Sequence, residues 1–387
     1  MKAASLKYGT LLAGGFLLAV GTAHADNHPI VIGVPTGLSG ANSTVAPAVV
    51  QSSELAVEQI NANGGVLGRD LVIEVADDQS GAQGAQRAFD DLIRNRGADV
   101  IISMETSAAR EAGVPIAEET GTPYIYTSLY EGRSCNNYLY ANGSVPEQMV
   151  SPIVDYFMDT EGAETFFLVG SDYNFGRGML GFSRDYIESS GGEVVSEEYQ
   201  PMDAQDWSSI ITRMRRTNPD AVIMSTAGGA PNVTLQRQFK AAGIDALVGN
   251  LSVDELTAQS MGADAEDVYI SASYLTSLEG EHNEAFLDAM TAKFGSDLET
   301  PNDLSVPQYD AINLYAKAVE AAGTTEAGPV LEALEQVSFN GPRGEIQMDE
   351  QRHAALTMNL GRVQADGSVE VVERFAGVSP GTQCPEL

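Results

Sequence analysis

Positive charge is scarce in this chain. Twenty-one Lys and Arg stand against 54 Asp and Glu over 387 residues, a formal net charge of −33. A surface of that sign repels nucleic-acid backbones and anionic lipid headgroups, which argues against both as partners and leaves a solvated acidic exterior. Long apolar runs are also scarce: residues 11–20 form one, about half the ~20 residues a membrane-spanning helix needs, and nothing later approaches that length. The familiar catalytic signatures are missing too. There is no G-x-S-x-G elbow, no P-loop and no H-E-x-x-H, and the glycines of residues 37–40 lack the dinucleotide spacing. His28, His282 and His353 stand too far apart in sequence to display a zinc pattern. These absences leave a non-enzyme with no metal and no cofactor as the expectation.

The start of the chain carries an address. Lys2 and Lys7 precede the apolar run, and Ala23-His24-Ala25 has the small-x-small form of a secretory cleavage site. Residues 1–25 are therefore expected to be a signal peptide cut before Asp26, releasing a soluble periplasmic protein with no membrane insertion of its own. No cysteine lies near that junction to take a lipid. The two cysteines of the chain are Cys135 and Cys384. In an oxidising compartment such a pair is more often bridged than free, and a bridge would tie the tail to the loop that contains residue 135.

With 43% hydrophobic and 19% charged residues the chain is ordinary for a folded protein, and its length exceeds what one core usually serves. Residues 100–131 are the most informative stretch. They read as a buried strand (100–103), a polar loop (104–108), a helix, a second strand (124–126) and another polar loop (127–130). Parallel strands joined by a helix bring both loops to the carboxyl edge of the sheet, where open α/β sheets hold ligands, so Glu105, Ser107, Tyr126 and Ser128 face one crevice. Residues 30–34 and 71–75 read as further strands, with helices over 45–61 and 83–95. From residue 149 the strand and helix series restarts, with loops at 170–178 and 226–230, and after residue 269 the chain turns mostly helical before two late alternating segments. Two α/β lobes follow, with the late helices packing on the first and the final strands joining the second.

Residues 60–80, INANGGVLGRDLVIEVADDQS, resemble a signature of the leucine/isoleucine/valine-binding family of periplasmic substrate-binding proteins. Asn61, Gly64-Gly65, Gly68-Arg69 and Asp77-Asp78 carry that likeness. Residues 92–97, 123–132 and 170–173 look most like the amide- and urea-binding branch of the family. The resemblance implies a type I periplasmic binding protein fold: two doubly wound α/β lobes with three hinge crossings, near residues 141–145, 271–274 and 344–348. Lobe 1 is then expected over 26–143 with 273–345, and lobe 2 over 144–272 with 346–387. It further implies capture of a small polar ligand (a short amide, a urea-like compound or an amino acid) for an inner-membrane ABC permease. The alternative is a ligand sensor of the same fold, an amide-type regulator or a chemoreceptor partner.

The family's pattern also implies ligand contacts. On the first lobe Ser107 and Ser128, with Tyr126 beside them, match positions that grip a carboxylate or carbonyl oxygen, and a helix start at Ser107 suits that chemistry; the alternative is that both serines cap helices. On the second lobe Tyr173 and Phe175 match aromatic positions that cover a ligand face, or else they pack on their own helices. Thr226 and residues 250–255, which include Ser252, line the same edge, and either Asp254 or Glu255 can receive an ammonium. Glu105 departs from the pattern. A carboxylate there calls for a cationic ligand group or for a local pairing with Arg110.

Overall fold

The computed structural model describes Met1 and residues 28–387, so the expected cleavage before Asp26 lies outside the described residues. Two parallel-stranded sheets organise the chain. The first has the order β2-β1-β3-β4-β5, built from β1 (Ile30–Thr36), β2 (Leu71–Asp77), β3 (Val100–Ser103), β4 (Tyr124–Tyr126) and β5 (Leu139–Ala141). Helices α1 (Ala46–Ala62), α2 (Ala82–Asp90) and α3 (Ser107–Thr120) make its crossovers. The alternation of its strands buries both faces: Ile30, Ile32, Val34, Val100 and Ile102 enter one core, while Ile101, Tyr124 and Tyr126 enter another with Phe89. Such two-sided burial is why these strands read as continuous apolar runs.

The second sheet repeats the scheme on a larger scale. Strands β6 (Thr165–Ser171), β7 (Glu193–Gln200), β8 (Ala221–Ser225), β9 (Leu247–Asn250) and β10 (Val268–Ala272) are parallel in the order β10-β9-β8-β6-β7. Helix α4 (Pro146–Asp155) precedes them, and between them run α5 (Asn174–Ser189), α6 (Ser208–Thr217), α7 (Ala230–Ala242) and α8 (Glu255–Met261). Phe166 and Leu168 point into one core and Phe167 and Val169 into the other, the period-two signature of a central strand.

Late helices α9 (Glu281–Phe294), α10 (Val306–Ala322) and α11 (Ala327–Leu334) return to the first lobe, α9 and α10 both packing on α1. A hairpin, β11 (Ser338–Gly341) with β12 (Gly344–Gln347), follows, and then β13 (Leu356–Val363) and β14 (Val369–Val378) extend the second sheet antiparallel beyond β10. The chain thus passes between lobes three times, after β5, after β10 and after β12. One side chain meets all three passages. Buried Arg343, in the hairpin turn, bonds Asp310 of α10, the Ser273 hydroxyl (3.0 Å) and the Asn142 carbonyl (2.9 Å).

Cys135 and Cys384 are bonded, with Cα atoms 5.5 Å apart. Gln383 beside the bridge accepts from the Arg133 N–H (3.0 Å) and donates to Glu147 (3.1 Å), so the tail is fixed to the loop after β4 and to α4. Among the described residues no helix is long and apolar enough to cross a membrane.

Candidate functional site

In both sheets the strand order reverses beside the first strand of the series, at β1/β3 and at β6/β8. Loops leaving the carboxyl ends of strands diverge at such a point and leave a crevice. Here the two crevices face each other and enclose one cavity of about 620 Å³, including the space at its mouth. Its walls come from the loops after β1, β3 and β4 on one side and after β6, β7, β8 and β9 on the other. Glu105, Ser107, Tyr126 and Ser128 line the first wall, and Tyr173, Phe175, Thr226 and Ser252 the second. The lobes touch at its lips. A Cβ placed on Gly178 of α5 would lie 2.5 Å from the Glu131 Cβ, and one on Gly229, whose φ of +70° itself favours glycine, 3.2 Å from the Ala41 carbonyl oxygen.

Ser107 is the first residue of α3, and the residue that caps the helix is Thr106, whose Oγ1 accepts from the Ala109 N–H at 3.2 Å. Ser128 precedes no helix. Capping therefore explains neither serine. The N–H groups of Ser107 and Ala108 open the helix with no acceptor inside it, and the helix dipole adds to their positive character. The Ser107 hydroxyl donates to Glu131 Oε2 at 2.6 Å.

At Glu105 the expected pairing with Arg110 is what the structure corrects. Glu105 lines the cavity, but both its carboxylate oxygens are engaged inside the first lobe by the hydroxyls of Tyr124 and Ser103, and Tyr126 donates to its backbone carbonyl at 2.8 Å. Burial first, and then the nearby Asp78 charge, push its pKa well above the ordinary carboxyl range, while the Ser103 hydrogen bond and Arg110 oppose the rise. Arg110 is not its ion-pair partner. That guanidinium binds Glu131 (2.7 Å) and Glu111 (2.8 Å) and lies over the rings of Tyr130 and Tyr126, 4.6 and 5.1 Å from their centroids.

On the second wall the rings of Tyr173 and Phe175 lie 6.0 Å apart; both face the cavity, and both also pack into the hydrophobic core. Ser252 and Thr226 hold each other: the Thr226 N–H donates to Ser252 Oγ (3.0 Å), and that hydroxyl donates to the Thr226 carbonyl (2.9 Å). The Thr226 hydroxyl itself is buried without a partner. Of the two acidic candidates, Glu255 is turned away, its carboxylate accepting the N–H and hydroxyl of Thr276 at 2.7 Å each. Asp254 lines the cavity. Its Oδ1 caps α8 by accepting from the Thr257 N–H at 2.8 Å, whereas its Oδ2 is buried with no hydrogen-bond partner among the described residues. Burial raises its pKa.

The sequence reading missed the contributions of Ala41, Asn42, Met202 and Leu304. The loop carrying the first two follows a strand of the parallel series, a usable signal, whereas Met202 and Leu304 reach the cavity through tertiary packing alone. Among the described residues no cluster of three or more His, Cys, Asp or Glu could hold a metal ion.

Comparison with known proteins agrees with this geometry. The family model described as "Periplasmic binding protein" matches residues 29–368. A leucine-, isoleucine-, valine-, threonine- and alanine-binding protein of Pseudomonas aeruginosa is 25% identical over 302 residues, covering 76% of this chain and 79% of that protein. Among solved structures, a solute-binding protein of an ABC transporter from R. palustris, in complex with 4-hydroxybenzoate, superposes with a TM-score of 0.84 at 20% identity, covering 91% of this chain and 98% of the other. A branched-chain amino acid transporter substrate-binding protein from Streptococcus pneumoniae, in complex with isoleucine, gives 0.79 at 24% identity, covering 90% and 99%. With its type I fold, its inter-lobe cavity and a family match that runs almost the length of the described residues, this chain belongs to the periplasmic binding protein family.

Proposed function

We propose that the protein captures, between its lobes, a small organic ligand bearing both an acceptor oxygen and an N–H donor, an amino acid or a short amide, and delivers it to the permease of an ABC importer. One observation carries this reading: a single cavity is lined both by Thr106 and Ser107, at the N-terminus of α3, and by Asp254, whose Oδ2 has no hydrogen-bond partner among the described residues. The first attracts a carboxylate or carbonyl oxygen, and the second attracts an ammonium or amide N–H. Ser107, Tyr126 and Ser128 flank the oxygen end, Tyr173 and Phe175 cover the apolar part, and Thr226 and Ser252 shape the far wall. The lobes that close on it are assigned as residues 26–143 with 273–345 and 144–272 with 346–387. The export signal in the first 25 residues suits a transport role.

A thermal-shift screen followed by calorimetry tests this, with L-leucine, L-leucinamide, acetamide, urea and 4-hydroxybenzoate as probes. A true ligand at about 100 times its Kd adds about 2.7 kcal/mol of apparent stability. Asp254→Asn is expected to weaken an ammonium-bearing ligand by about tenfold or more, the loss of one charge-assisted hydrogen bond. Binding of 4-hydroxybenzoate alone, unaffected by Asp254→Asn, would overturn the assignment. Failure to co-purify with a membrane permease, with capture of a soluble receptor instead, would turn the reading to a sensor.

A further inference from the structure

Glu131 was no part of the sequence-derived site, yet it stands behind the first wall of the cavity. Its Oε2 accepts a hydrogen bond from the Ser107 hydroxyl at 2.6 Å, and its Oε1 accepts one from Arg110 Nη2 at 2.7 Å. Arg110 cannot swing away, because it is buried, bonded also to Glu111 and sandwiched against Tyr126 and Tyr130. A carboxylate only accepts, so a hydroxyl bonded to it must spend its proton there. Ser107 Oγ can then show the cavity nothing but lone pairs, while the helix N-terminus at which it stands supplies donor character. Gly178 of α5, on the opposite lobe, lies against Glu131 so closely that a Cβ there would come within 2.5 Å of the Glu131 Cβ.

We propose that Glu131 is a positioning residue that sets the polarity of Ser107, making the first-lobe subsite an acceptor beside donors, and so shifts selectivity from a carboxylate toward a primary amide. This rests on the cavity being the small-ligand site. A carboxamide offers an oxygen to the N–H groups and an N–H to Ser107 Oγ. A carboxylate satisfies only the first and meets the serine lone pair with the second.

Glu131→Gln keeps the shape and reverses the polarity: the amide oxygen still accepts from Arg110, while its NH₂ donates to Ser107 and turns the hydroxyl proton toward the cavity. Using L-leucinamide and L-leucine as probes, the ratio of their Kd values is expected to move about tenfold toward the carboxylate in Glu131→Gln, and the shift is expected to vanish in a Ser107→Ala background. An unchanged ratio, or an equal shift without Ser107, would overturn the proposal. A ligand-free arm separates this from failure of the functional reading. In Ser107→Cys the new thiol is the single free one, since Cys135 and Cys384 are bonded. Its alkylation by iodoacetamide near neutral pH is expected to quicken several-fold, roughly, when Glu131→Gln is added, because a thiolate no longer faces a carboxylate. If neither probe binds the wild-type protein but the thiol rate shifts, the polarity device stands and the ligand class falls. If the thiol rate is unchanged, the device itself is refuted.

Discussion

Glu105 and Asp254 bring carboxyl groups to the same cavity, and what each is bonded to separates their roles. Tyr124 and Ser103 occupy both oxygens of Glu105, so a ligand would have to break two buried hydrogen bonds to reach it. Replacing it by an amide of the same shape leaves a neutral group where the surroundings already disfavour a charge. Glu105→Gln is therefore expected to leave ligand affinity within about a factor of two in calorimetry, and a larger loss would return Glu105 to the recognition surface. Thr106 offers a contrasting case at the same loop. Its hydroxyl caps α3 directly, so Thr106→Ala should lower the unfolding free energy by about 1 kcal/mol, as measured by urea denaturation.

At the scale of elements, the bridged tail is the feature whose effect is most readily measured. The bond between Cys135 and Cys384 closes a separation of 249 residues, and loops of that order lose the most chain entropy when closed. Cys384→Ser is expected to cost about 2–5 kcal/mol in chemical denaturation, with the tail's hydrogen bonds from Gln383 weakened alongside. The pairing was legible from cysteine count and export alone. So were the βα units: residues 100–126 fold into β3, α3 and β4 as their apolar spacing requires, because local periodicity decides such elements. β5 escaped notice, being three residues long and defined by its pairing with β4 rather than by any pattern of its own. Nothing in the sequence marks residues 341–344 as a buried turn, yet Gly341 and Gly344 pair across a hairpin whose tip buries Arg343. The Glu131 contacts were equally hidden. A hydrogen bond to Ser107 spans 24 positions, and neither residue's neighbours in sequence announce the other.

The molecule as a whole responds to pH through its buried acids. Burial lifts Asp78 from an ordinary 3.8 to about 6 and Glu255 from 4.5 to about 7. Between those values the folded protein holds protons that the unfolded chain has released, so the stability these groups contribute is complete below about pH 4 and is lost as pH rises through 6 to 7. The surplus of 54 acidic over 21 basic residues acts in the same direction, since self-repulsion grows as carboxylates ionise. A melting temperature higher near pH 5 than near pH 8 is expected in calorimetry. The opposite order would mean that these carboxyl groups ionise more easily in the fold than in the open chain.

Arg343 ties together the passages between the two halves. Its guanidinium binds Asn142 before the second lobe begins, Ser273 after it ends, and Asp310 on α10, and it sits itself where the chain prepares to leave the first lobe for the last time. Arg343→Met should cost about 3–5 kcal/mol by stranding Asp310, and much of that should return when Asp310 is made leucine as well. The three straps between the lobes are thus riveted to a common axle. A peptide bond cut within residues 348–355 leaves Arg343 and its three partners together on one fragment, while the Cys135–Cys384 bond and the pairing of β13 with β10 hold the other, so a nicked protein that stays whole on a sizing column until the bridge is reduced is what that geometry demands.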